Sequence, residues 1–153
     1  MTHARQTIRE GFVTTATGLT TTGNSVINGQ KMPRDESELP IWIIYPGEES
    51  ISEEEELGAM GSSRVVIREL QMICLGIVRA TSTGEPTEDT LDDMLEELET
   101  AVGGGIGVSG VLSVNLTGVT PDYDGEADNL YASIECTFNV LYRTTADAPG
   151  TIV

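Results

Sequence analysis

One histidine, one lysine and two widely separated cysteines leave this chain short of the side chains that most catalytic and metal chemistry requires. A Ser-His-Asp or Cys-His arrangement would have to rely on His3, in an N-terminus expected to be frayed. A zinc site would lack imidazole ligands, and Cys74 and Cys136 lack metal-type spacing. Both cysteines sit inside apolar strand-like runs and read as buried thiols acting as small hydrophobes, although a disulfide is conceivable if their strands are neighbours. Basic residues are equally sparse. Arg5, Arg9, Lys31, Arg34, Arg64, Arg68, Arg79 and Arg143 are dispersed, so there is no clustered footprint for nucleic-acid phosphates. No apolar run approaches the roughly 20 residues of a membrane-spanning helix. Met1 to Glu10 has no apolar centre of a signal peptide, and a cytoplasmic origin is the expectation.

What the chain has is acid. Its net charge is −17 over 153 residues, with 39% apolar and 22% charged residues. That length fits one soluble domain able to bury a core without disulfides. The domain is expected over residues 1–144, with 145–153 as a mobile tail, since Thr144 to Val153 is small and polar with Pro149-Gly150. The charge opposes nucleic-acid binding but would suit a surface that DNA must pass without sticking.

The clearest pattern is the alternation from Leu130 to Tyr142. Leu130, Ala132, Ile134, Cys136, Phe138, Val140 and Tyr142 share one face of a strand, while the odd positions are mostly polar. A second long strand is predicted over 64–80. Val66, Leu70, Met72, Cys74 and Val78 lie on its even face, and Ile73, Leu75 and Ile77 on its odd face. Two apolar faces require two covers, the second being a helix of this chain or another subunit. Ile41 to Tyr45, closed by Pro46-Gly47, reads as a strand covered on both faces, with Trp42 as core or subunit contact. Shorter strands are predicted at 25–29 and 111–120, the latter in a hairpin with 130–142 through an acidic turn at 121–129.

Two helices are predicted. Residues 3–17 place Ile8, Phe12 and Ala16 at helical spacing. From Glu88 to about Val102, with Thr87 as N-cap, Leu91, Met94, Leu95, Leu98, Ala101 and Val102 form a stripe; Asp92, Asp93, Glu96, Glu97 and Glu99 form an acidic solvated face. Gly103-Gly104-Gly105 stops this helix. It follows a helix rather than a strand and lacks the Gly-Lys-Ser/Thr ending, so it is not a phosphate loop. From 47 to 63 an acidic loop or loose hairpin is expected, carrying Glu48, Glu49, Glu53, Glu54, Glu55 and Glu56. It lacks the spacing and turn glycine of an EF-hand, and reads as solvated, as a docking or channel-lining loop, or as a metal site. A two-carboxylate hydrolase stays open only because carboxylates abound.

The order of these elements resembles the tail terminator (tail completion, minor tail) proteins of long-tailed bacteriophages. The resemblance rests on Glu36 to Tyr45, Arg68 to Arg79, Leu91 to Val102, Leu116 to Thr120 and Ala132 to Thr144. It lies in order and character rather than in a diagnostic motif. It implies an α+β fold, with a mostly antiparallel sheet of about four to five strands and two main helices packed on it. It also implies a ring, usually of six subunits, that caps the tail tube, stops its polymerisation and meets the head connector. Partners would be other copies of the chain, the tail-tube protein and the head-connector or neck protein. DNA would pass through without specific binding, and no membrane, cofactor or catalytic residue would be involved. The chain would be made in the host cytoplasm and reside in the virion. The interface candidates are Trp42, Ile73, Leu75, Ile77, Glu53, Glu54, Glu55 and Glu56. A head-closure protein of the same joint, and a small carboxylate-dependent enzyme or metal-binding domain, are the alternatives.

Overall fold

A computed structural model describes residues 2–33, 35–53, 64–80, 86–123 and 131–153. In chain order the elements are α1 (Ala4–Ala16), β1 (Val26–Asn28), a 3-10 turn (Glu36–Glu38), β2 (Ile41–Glu53), β3 (Val65–Arg79), α2 (Thr87–Gly103), β4 (Ser113–Tyr123), β5 (Tyr131–Thr145) and β6 (Ala148–Ile152). The fold is α+β. Six strands form one mixed sheet in the order β1-β2-β3-β5-β4, with β6 also paired to β5. That is one strand more than the upper expectation, and the β1–β2 pair is parallel.

β3 and β5 pair without interruption from Val65↔Thr145 to Arg79↔Tyr131. The alternation in β5 therefore determines which residues of β3 lie beneath the helices. Leu70, Met72, Cys74 and Val78 share that face with Ala132, Ile134, Cys136, Phe138 and Val140, all buried. α1 contributes Ile8, Phe12 and Ala16 to the same core, and α2 contributes Leu91, Met94, Leu98 and Val102. Phe12 and Phe138 meet with ring centroids 5.5 Å apart in a tilted arrangement, a favoured aromatic geometry. Trp42 lies opposite Gly76, where the missing side chain makes room for the indole, Met94 and Ile134.

Two bulges reverse the alternation. Between Pro46 and Glu49 the β2 register shifts, so Glu49, Ile51 and Glu53 fall on the helix side opposite Leu70, Arg68 and Val66. A shift between Leu116 and Gly118 turns Val119 and Tyr123 to the helix side of β4. An added residue in one strand has this effect because side-chain direction has period two.

Several expectations are corrected. β2 does not end at Pro46-Gly47 but continues to Glu53, so residues 47–53 are strand and not loop; the remainder of the expected acidic loop, 54–63, lies outside the described residues. The segment expected to be a mobile tail contains β6, held by Thr144↔Ile152 and Thr145↔Ala148. Gly150 passes so close to Thr2 that a Cβ there would run into its carbonyl oxygen. β4 runs on through Pro121 to Tyr123, while 124–130, including Leu130, lies outside the described residues. Thr87 is the first residue of α2, and Pro86 occupies the cap position without a side-chain bond. His3 is not at a frayed end: its Nδ1 accepts from the Arg5 backbone N–H at 3.2 Å and caps α1.

Candidate interaction surface

The helices cover one face of the sheet. On the other, the odd residues of β3 meet the odd residues of β2: Ile41 opposes Ile77, Ile43 opposes Leu75, and Tyr45 opposes Ile73. Ile41, Ile43 and Ile77 form a small second core, with Ile27, Leu39, Tyr45 and Leu75 packed partly buried against it. Ile27 extends this patch along the sheet through β1, and Leu39 packs against it from the segment that leads into β2. Burial, then the Glu135 carboxylate, then Cys74 raise the Tyr45 phenol above its ordinary value of 10.0.

Toward β5 this face becomes polar. Glu135 stands opposite Leu75, and Asn139 opposite Gln71. The Asn139 amide donates to Glu69 at 2.8 Å, tying β5 to β3 on the face away from the helices. Met32, Pro33, Asp35 and Leu39 line one side of a cleft of about 470 Å³ that reaches Leu75 and Ile77 of β3.

The interface candidates are thus separated. Ile73 and Leu75 are half-buried on the helix-free face, and Ile77 beside them is 8% exposed. Trp42 is withdrawn from the surface altogether: it is fully buried on the opposite, helix-covered face. Its strand alternates, and the tryptophan took the inward parity. Glu53 is exposed at the end of β2 and is paired with Arg64 at 2.9 Å. Glu54, Glu55 and Glu56 lie outside the described residues.

A polar cluster that the sequence pattern did not reveal sits on the helix side. The Glu49 carboxylate receives Arg68 Nη1 at 2.9 Å and the Tyr142 hydroxyl, while Arg68 Nε donates to Thr144 Oγ1 at 3.0 Å. Both charged side chains are largely buried, 12% exposed for Arg68 and 8% for Glu49. Burial and then the Glu49 hydrogen bond push the Tyr142 phenol well up. The signal available in sequence was Arg68 interrupting an apolar face; its partner became visible only through the bulge at Pro46/Glu49. Glu97 likewise leaves the solvated face expected for it: half-buried, it accepts from the Thr21 backbone N–H at 3.0 Å and from Thr21 Oγ1 at 2.8 Å.

Cys74 and Cys136 are direct partners across β3 and β5, both as free thiols. Burial pushes Cys136 up to about 12, assisted by Glu99 and Glu135, and raises Cys74 well above its ordinary value. Among the described residues, no group of three or more His, Cys, Asp or Glu is arranged to hold a metal ion. No described helix is long and apolar enough to cross a membrane. A scan against models of known protein families finds no match, and a search of curated proteins finds no significant match.

Proposed function

We propose that this chain is a structural, assembly-forming protein whose helix-free sheet face and sheet edges meet other subunits. The observation that carries the reading is the one-sided cover of the sheet, which leaves Ile73 and Leu75 half-buried beside a cleft. A half-covered apolar face of this kind is characteristic of an interaction surface.

More particularly, the protein is a bacteriophage tail terminator that forms a ring, of six subunits by resemblance. It caps the tail tube, stops its polymerisation and joins the tail to the head connector. Support comes from the order of elements and from the α+β architecture with two helices on a sheet. The outer edge of β4 pairs with no described strand, and an open edge is a template for another chain. Its bulge and Pro121 restrain indiscriminate pairing, as a subunit that must not assemble early requires. The charge of −17 acts in the same direction and keeps DNA from adhering to a channel wall.

The test is tube growth in the presence of this protein. A terminator shortens or caps growing tubes; tubes of unchanged length would support the head-closure reading and refute this one. Ile73→Asp, on the same face but outside the cleft, should weaken ring formation more than it weakens folding, leaving a cooperative melting transition. If the variant simply unfolds, the face is internal core and the reading fails.

A further inference from the structure

The cleft at the end of the helix-free face has a definite chemical character. At about 470 Å³ it falls within the size range of binding pockets, roughly 300–1,000 Å³. Leu75 and Ile77 give it an apolar base, and two exposed apolar side chains flank it, Met32 at 71% and Tyr131 at 39% exposure. Two exposed carboxylates, Asp35 and Asp122, complete the rim. The Asp35 carboxylate accepts the Ser37 backbone N–H at 3.2 Å, and neither carboxylate has an ion-pair partner among the described residues. Arg79, opposite Tyr131 in the register, is engaged in an interaction of its own within the chain. Lys31 precedes Met32 but does not line the cleft.

We infer that this cleft docks an extended segment of a different protein, in which one apolar side chain is flanked by lysine or arginine. The apolar side chain fills the space over Leu75 and Ile77, and the flanking cations meet Asp35 and Asp122. A second copy of the chain is the poorer occupant on charge. It brings −17 against −17 overall, and four of its basic residues, Arg64, Arg68, Arg79 and Arg143, are already engaged within the chain. Its own run Lys31-Met32-Pro33-Arg34 is the competing occupant, and shifts at the cleft methyls that grow with protein concentration in the absence of peptide would overturn the inference. The inference rests on the reading of this face as an interface, but concerns the unlike partner and not the ring.

The experiment titrates the full chain with three short peptides while following the methyl NMR signals of Met32, Leu75 and Ile77. The probes are acetyl-Gly-Lys-Leu-Lys-Gly-amide, the same peptide with serine for leucine, and the same peptide with glutamates for lysines. Saturable shifts at these three methyls are expected with the first peptide, and weaker binding with the other two. Asp35→Asn and Asp122→Asn, both at exposed positions, should each weaken binding about two- to fivefold, the scale of one exposed ion pair. Equal binding of the glutamate peptide, shifts spread evenly over the surface, or no shift at millimolar peptide would each overturn the inference. Ring formation is read separately by sedimentation, so failure of the docking leaves the ring reading intact, and failure of the ring leaves this titration interpretable.

Discussion

Gly76→Ala tests the packing of the whole helix side at one atom. An added Cβ would stand 3.0 Å from Met94 Cε, 3.0 Å from Trp42 Cζ3 and 3.1 Å from Ile134 Cγ2. Ordinary carbon contacts lie at about 3.5–4.0 Å, so three neighbours must each yield roughly half an ångström. The Met94 methyl can swing, but Trp42 and Ile134 are held in adjacent strands opposite Gly76. Overpacking of this kind costs about 1–3 kcal/mol, and the reduced freedom of the unfolded chain returns about 0.4–1 kcal/mol. The net expectation is a loss of roughly 1–2 kcal/mol, or about 3–6 °C in Tm for a domain of this size. Urea unfolding followed by Trp42 fluorescence measures it, with the midpoint falling and the slope unchanged. Met94→Ala should itself cost about 2–5 kcal/mol, and the double variant should be less destabilised than the two losses added, by at least about 0.5 kcal/mol. A neutral or stabilised Gly76→Ala, or strict additivity with Met94→Ala, would refute the reasoning.

Other consequences can be checked with the same unfolding assay. Glu49→Ala leaves Arg68 buried without its counter-charge and should cost about 3–5 kcal/mol, whereas replacing the pair together by Glu49→Leu and Arg68→Met should cost much less. Glu97→Ala removes the acceptor for Thr21 and should lower stability by about 1–3 kcal/mol, with faster hydrogen exchange at the Thr21 amide. The thiols define an alkaline limit. Because burial raises Cys136 from 9.0 to about 12, the unfolded chain releases that proton first, and the folded state holds more protons between those values. Stability is therefore complete below about pH 9 and falls as pH rises toward 12; a flat profile over that range would contradict the burial. In the native protein at about pH 8, neither cysteine should react with a thiol reagent on the timescale that labels both after unfolding.

Much of the scaffold was legible because its signals are periodic. β5, β3, α1 and α2 each carry a regular stripe, and regular stripes determine element type and buried face together. Ile73, Leu75 and Ile77 were assigned to one face on that basis, and they lie on it. The departures occur where periodicity breaks. The bulge after Pro46 reverses the parity of β2, so Glu49 reads as surface acid in sequence yet reaches Arg68 and Tyr142 across the sheet. β6 has almost no apolar pattern of its own; it exists because β5 offers an open edge at Thr144 and Thr145 beyond the end of β4. Trp42 illustrates a further limit. A fully apolar strand shows that both faces are covered but not which one meets a helix, and that was settled by Gly76 opposite the indole. The cleft was not legible at all, since it depends on where Met32, Pro33, Asp35 and Leu39 meet a sheet whose register is set by distant pairings.

The central claim is that this chain assembles into a ring which ends a tail tube. Sedimentation of the purified full chain, from micromolar to near-millimolar concentration and then with tail-tube protein added, tests it most directly. The account predicts a single closed oligomer of fixed subunit number, present alone or appearing when tube protein is supplied. A strict monomer under every one of these conditions would contradict it.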